Sequence, residues 1–336
     1  MMKKYLATII KGESLGENDM YSLMSRLMAG EFTDAQIGAF IGALSVRGET
    51  GSELAGAARA MREKALLIEP GITGFVDTCG TGGDCTNTFN ISTAAAFVTA
   101  GCGVPVAKHG NRSVSSRCGS ADVLEALGVA IDITPAKAAE ALEKIGICFL
   151  FAPYYHEALK YAARARREIG VRSIFNMLGP LTNPGRADRQ IIGVFSGRLT
   201  EMFAEALLTL GSEKALVVHG NDGLDEISVC APTRITELCS GTIKTYELLP
   251  EKFFGKRYPM ELLRGGSADE NALFIRKVLS GVRGARRDVV VINCAGALVA
   301  AGAAAGFEEG VAMAEESIDS GKAMEKLNKL VEFTKS

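Results

Sequence analysis

A chain of 336 residues with 47% hydrophobic content can bury a sizeable core and, at roughly 100–200 residues per domain, form two domains. Charged residues make up 23% and the formal net charge is -2, so neither a nucleic-acid partner nor a membrane surface is expected. Eight cysteines (Cys79, Cys85, Cys102, Cys118, Cys148, Cys230, Cys239 and Cys294) include no CxxC pair, which predicts reduced thiols in a cytoplasmic protein. The opening MMKKYLATIIKGES has no small-residue cleavage site and is not expected to be a signal peptide. The apolar run 294–307 is short and mostly Ala and Gly, the pattern of a packed helix rather than a membrane span.

Residues 1 to about 66 read as four short helices. Met20, Leu23, Met24, Leu27 and Met28 fall at i, i+3, i+4, i+7 and i+8, and Ile37, Phe40, Ile41 and Leu44 repeat the stripe. Thr33 with Gln36 makes a capping box before the second stripe. Such helices bury little alone, so the segment is expected to pack on the main domain or on a second copy of itself. From Gly71, short apolar runs alternate with Ala-rich helices: FVDT (75–78), VPVA (104–107), ICFLF (147–151), QIIGVF (190–195), ALVVH (215–219) and VVVIN (289–293). Strands apolar throughout and separated by helices predict a largely parallel sheet covered on both faces, with ligands at the carboxyl ends of its strands. The stretch 171-VRSIFNMLGPLTNPGRAD-188 interrupts the alternation and reads as a connection or hinge. The expected fold class is α/β. A small all-helical domain spans 1–70, with a returning segment near 166–187; a large domain, 71–165 and 188–336, holds a central, mostly parallel sheet flanked by helices.

The first strand-to-helix loop, 77-DTCGTGGDCTNTFNIST-93, carries Gly80, Gly82 and Gly83, which allow close backbone approach and expose N–H groups at a helix start. It is neither a P-loop nor a dinucleotide fingerprint. A Gly-rich turn alone leaves a tight turn and an anion site equally plausible. Thr86, Asn87, Thr88, Asn90, Ser92 and Thr93 tilt it toward phosphate. The next loop, 108-KHGNRSVSSRCGSAD-122, gathers Lys108, His109, Arg112 and Arg117 with Ser113, Ser115, Ser116 and Ser120. Two such loops after neighbouring strands suit a ligand with phosphates at more than one position. In 219-HGNDGLDEISV-229, Asp222, Asp225 and Glu226 would repel that ligand unless a hard cation bridged them, as Mg²⁺ does between carboxylates and phosphates. On these residues alone the reading stops at a Mg²⁺-dependent enzyme of a multiply phosphorylated sugar.

GTGGD, KHGNRSVSS, GPLTNP and DGLDE, in this order and spacing, with GEFTDAQIGAFIGAL (30–44) and GGSADENA (265–272), make the chain resemble the anthranilate phosphoribosyltransferases nearly end to end. These are tryptophan-pathway enzymes on the nucleoside-phosphorylase type of phosphoribosyltransferase fold. The resemblance implies that 5-phosphoribosyl 1-pyrophosphate (PRPP) is bound by Gly80, Gly83, Asp84, Thr88, Asn90, Ile91, Ser92, Thr93, Lys108, His109, Gly110, Asn111, Arg112, Ser113, Val114, Ser115, Ser116 and Ser120. It implies that Ser92, Asp225 and Glu226 contact Mg²⁺, two ions per subunit. It further implies an anthranilate site of Gly80, Asn111, Arg166, His156 and Pro180, with no residue assigned as general acid or base. Cys85 departs from the family's usual glycine, which bears on how that turn bends, and Cys118 stands where serine is common.

Transfer of a phosphoribosyl group to an aromatic amine asks the protein to hold the leaving pyrophosphate and to place the nitrogen in line. The rival readings are a nucleoside phosphorylase on the same fold and a non-catalytic, nucleic-acid-binding paralogue; the second predicts a basic surface and loss of the acidic pair. The apolar rows of the first four helices, together with the resemblance, predict a homodimer through the helical domain. Association with anthranilate synthase is a further partner to consider.

Overall fold

The structure, a computed structural model, describes residues 2–113 and 117–336. The first four helices are α1 (Met2–Ile10), α2 (Glu17–Leu27), α3 (Asp34–Arg47) and α4 (Gly51–Lys64). Thr33 and Gln36 form the expected capping box on α3, and Thr50 with Glu53 forms a second on α4. Glu53 is fully buried, and its carboxylate also accepts from the Leu15 N–H and pairs with Arg47. That network ties the α1–α2 loop to the α3–α4 corner.

The apolar rows of α2 and α3 are buried within this one chain, α2 chiefly against α4 and α3 against α1 and the helix Lys160–Ile169. The dimer argument from surplus apolar stripe therefore fails: the stripe is covered internally. What stays exposed is at the helix ends, such as Ile10 at 74% and Val46 at 90%.

The sheet contains β1 (Val76–Asp77), β2 (Val106–Gly110), β3 (Ile147–Phe151), β4 (Arg189–Gly193), β5 (Lys214–Gly220), β6 (Thr233–Cys239) and β7 (Thr242–Leu248), in the order β3-β2-β1-β4-β5-β6-β7. Pairs from β3 to β5 are parallel, and β6 and β7 are added antiparallel. The mostly parallel sheet is as expected, with two corrections. VVVIN lies inside the helix Ala285–Ala301, buried on almost every side, rather than in a strand. A continuous β-branched run suits a buried helix as well as a buried strand, and periodicity cannot separate them. The β6–β7 hairpin was not anticipated. Its turn residues Ser240 and Gly241 take φ of 49° and 79°, the left-handed pair that matches strand twist in a two-residue loop.

Side chains alternate across the sheet between two cores. On β5, Leu216 and Val218 join the core that holds α5 (Ile91–Gly101) and the helix Ala285–Ala301, whereas Ala215 and Val217 join the core shared with α1–α4. The helical region is thus seated on one face of the sheet. Strand order reverses between β1 and β4, so the loops leaving these strands diverge and open a crevice at their carboxyl ends.

Candidate active site

The Gly-rich loop leaves β1 at that crevice. The Thr81 N–H donates to the Gly193 carbonyl across it at 2.8 Å. A Cβ on Gly193 would lie 1.6 Å from the Asp225 carbonyl oxygen, so the glycine at the end of β4 lets the acidic loop pack directly against the strand. Gly82, Gly83, Cys85 and Asn87 all take positive φ; Cys85 sits at 62°, a left-handed position where the family's usual glycine carries no strain. The turn keeps its left-handed bend with the cysteine in place. Downstream, the segment is clamped by the GGSADENA motif. Gly265 N–H donates to the Asn87 carbonyl, Thr88 bridges Arg264, and Asn271 donates to Asn90 Oδ1 at 3.1 Å. Asn90 in turn donates to the Cys118 carbonyl and so joins the two anion-type loops.

Helix α5 begins at Ile91, and there the elements meet on Ser92. Its N–H donates to Glu226 Oε1 at 3.1 Å, and its hydroxyl accepts from Lys108 Nζ at 3.2 Å. Lys108 is buried on β2, and its other partners are the Thr78 carbonyl and hydroxyl. The neighbouring Thr93 hydroxyl is buried and finds no hydrogen-bond partner among the described residues. A cation, a helix N-terminus and a carboxylate thus converge at one serine, Lys108 on its hydroxyl and Glu226 on its N–H.

Beneath them lies a residue to which the sequence drew no attention. Asp77, fully buried at the end of β1, accepts from the Cys79 N–H, the His109 N–H and Asn183 Nδ2, holding the Gly-rich loop, β2 and the GPLTNP segment together. Burial pushes its carboxyl up to about 6 against these donors. The available signal was position: an acid closing an apolar strand.

The second loop is arranged around Asp122, which accepts from the Gly119 and Ser113 N–H groups. Arg112 is not a free cation: it pairs with Asp122 and Glu125, and it lies 5.6 Å from the Phe151 ring centroid. Asn111 is exposed beyond β2; its carbonyl accepts from the Ser120 hydroxyl. A Cβ on Gly110 would collide with that hydroxyl at 2.3 Å. Val114, Ser115 and Ser116 lie outside the described residues.

Of the acidic triplet, Asp222 is spoken for by its own turn, accepting from the Ser228 hydroxyl at 2.5 Å and the Leu224 N–H. Asp225 and Glu226 remain, half open at the surface, with Asp84 beside them. Burial, then Asp84 and Glu226, raise Asp225; burial, opposed by Lys108 and Ser92, raises Glu226 to about 7. Crowded carboxylates short of positive charge fit a divalent cation. Among the described residues no three acidic, His or Cys side chains form a closed metal cage.

Of the proposed acceptor residues, Gly80 and Asn111 lie in the two loops above, and the others come from later segments. Arg166, on the helix Lys160–Ile169, lies half-buried 5.0 Å from the Phe175 ring centroid; burial lowers its pKa, and among the described residues no carboxylate pairs with it. His156 is buried, edge-on to His109 at 5.2 Å. His109 donates from Nδ1 to the Gly179 carbonyl at 2.9 Å, and Pro180 is held by Gln190 through its carbonyl. Burial drives His109 down to about 4 and His156 to about 3, so both are neutral. Asn111 and Arg166 share no hydrogen bond.

Two family models match the chain: "Glycosyl transferase family, helical bundle domain" over residues 3–65 and "Glycosyl transferase family, a/b domain" over residues 73–324. An anthranilate phosphoribosyltransferase of Syntrophobacter fumaroxidans is 60% identical over 334 residues, covering 99% of each chain. The anthranilate phosphoribosyltransferase of Thermus thermophilus superimposes with a TM-score of 0.93 at 44% identity, over 98% of this chain and 99% of that one. The Saccharomyces cerevisiae enzyme in complex with PRPP and Mg does so with a TM-score of 0.90 at 26% identity, over 99% and 98%. Matched by both models and by relatives along its whole length, the chain belongs to the anthranilate phosphoribosyltransferase family.

Proposed function

We propose that the protein transfers the phosphoribosyl group of PRPP to the amine of anthranilate, giving N-(5-phosphoribosyl)anthranilate and pyrophosphate, the second step from chorismate to tryptophan. The observation that carries this reading is the convergence on Ser92: Lys108 and the start of α5 supply donors for an anion, while Glu226 and Asp225 supply ligands for a cation beside it. The relatives' names add the acceptor.

In this reading the loops 80–93 and 108–120 hold the donor, and Arg166 grips the anthranilate carboxylate, its charge being uncommitted to any acid. The C1′–O bond to pyrophosphate breaks with its electron pair leaving on oxygen; the amine lone pair forms the N–C1′ bond and the nitrogen then sheds a proton to solvent. No residue is assigned as general base, and neutral His156 lines the acceptor site with Pro180. Mg²⁺ on Ser92, Asp225 and Glu226, two ions per subunit, would supply charge to stabilise the leaving pyrophosphate. We place the protein in the cytoplasm as a homodimer through its helical region.

The direct test is loss of anthranilate fluorescence on adding PRPP and Mg²⁺, beside orotate, nicotinate and Mg²⁺-free controls. Consumption of PRPP with orotate or nicotinate but not with anthranilate would overturn the acceptor, and full activity without divalent cation would overturn the metal.

A further inference from the structure

The Gly-rich loop is tied at both ends, by Thr81 to Gly193 and by Asn87 to Gly265. Between these ties run Gly82 and Gly83, whose peptide planes rotate easily, and Cys85, also at positive φ. The middle is held from outside on two sides: by the acidic loop, where Asp225 meets the Gly82 backbone and the Asp84 carboxyl, and by Arg172. Its Nη2 donates to the Gly83 carbonyl at 2.5 Å, and its guanidinium lies 4.0 Å from the ring centroid of Phe195, just past β4. Its own carbonyl accepts from the Ser45 hydroxyl of α3 at 3.1 Å. Arg172 therefore spans from the helical region, across the crevice between β1 and β4, to the loop.

In a trans peptide the carbonyl and the following N–H point in opposite directions. A guanidinium that captures the Gly83 carbonyl directs the Asp84 N–H to the opposite side and keeps a partial negative charge away from an incoming phosphate. We propose that Arg172 is a positioning residue for the donor: it fixes the Gly83–Asp84 peptide so that the loop offers N–H rather than C=O to the PRPP phosphates, with Phe195 keeping the guanidinium flat. The inference rests on the transferase reading for its substrate, though not for the loop's geometry.

The variants are Arg172→Ala, Arg172→Lys and Phe195→Leu, in the full-length protein. The readouts are amide exchange over 80–88 without ligand, thermal midpoint, and KM for PRPP and for anthranilate. Arg172→Ala should speed exchange at 82–86 and raise the PRPP KM about tenfold, the scale of one charge-assisted hydrogen bond, while the anthranilate KM moves by less than about twofold. Arg172→Lys and Phe195→Leu should fall between it and the wild type. Unchanged loop exchange, or an equal rise of both KM values with a lowered thermal midpoint, would overturn the proposal. A wild type that does not turn over PRPP and anthranilate would instead defeat the functional reading, and the exchange data would still decide whether Arg172 holds the loop.

Discussion

Individual residues here are set by local electrostatics and backbone geometry. Cys85 holds a left-handed φ of 62°, where a side chain costs about 1–2 kcal/mol. Cys85→Gly should therefore leave denaturant stability equal to or up to about 1 kcal/mol above the wild type, the relief of strain outweighing glycine's added unfolded-state entropy. Cys85→Val, β-branched, should lower it. A stabilising valine would show that the loop is not strained there. Arg166 is a half-buried guanidinium with an aromatic neighbour and no acid, so its charge is available to a carboxylate. Arg166→Ala should weaken anthranilate binding by about 1.5–3 kcal/mol and spare PRPP, as calorimetry with each substrate would measure. Equal losses for both would make it a structural residue.

At the level of elements, the crevice depends on strand ends meeting loops at close range. Gly193→Ala would drive a methyl into the Asp225 carbonyl, so the acidic loop must shift. The expected result is a destabilisation of about 2 kcal/mol or more, with a raised Mg²⁺ requirement, read by denaturant melts and Mg²⁺ titration of activity. The end of β1, β2 and the turn after β3 bring three buried titrating groups together, Asp77, His109 and His156. His109 and His156 are held below the ordinary histidine value, so the stability they allow is complete above about 6.5 and is lost as pH falls toward 4 and 3. Asp77 is raised to about 6, so its contribution runs the other way, present below about 4 and lost as pH rises through 6. Between pH 6 and 4, unfolding thus takes up two protons at the histidines and releases one at Asp77. Lys108 is the other charged group facing this trio. His156→Phe removes one of those protons, and its stability should fall with acid less steeply than the wild type by about 1.4 kcal/mol per pH unit. Parallel curves for the two proteins would mean that His156 titrates normally.

Across the whole molecule, the helical region and the sheet share one apolar core that includes Phe40, Leu54, Phe203 and Val217. The chain crossings are pinned as well. Leu66 N–H donates to the Tyr155 carbonyl, Ile68 N–H to that of Pro184, and Arg62, lowered to about 10 by burial, donates to the Leu181 carbonyl. A wide swing about residues 69–74 would uncover that core, and the flanking pins hold against it. PRPP with Mg²⁺ should therefore order the loop 79–90, seen as slowed amide exchange, with little change in radius of gyration by scattering. A clear contraction would show that the linker works as a hinge despite these contacts.

Local chemistry made much of this protein legible in its sequence. The runs that became β3, β4 and β5 are apolar, and buried strands need that character wherever they end up. Glycines and hydroxyl residues at 80–93, a lysine ending an apolar run and adjacent acids at 225–226 carry their chemistry with them, because phosphate and Mg²⁺ are bound by functional groups that short segments already supply. Contacts between distant segments decided the rest. VVVIN became helix because its neighbours in space cover it on nearly all sides, a condition that periodicity does not encode. The β6–β7 hairpin extends the sheet through an antiparallel edge whose residues alternate too weakly to stand out. Arg112 spends its charge on Asp122 and Glu125, while Asp77 and Arg172, unremarkable in the chain, hold segments 32 to 106 residues away. Burial and pairing are properties of the folded packing, so the charge a side chain can offer a ligand was settled only there.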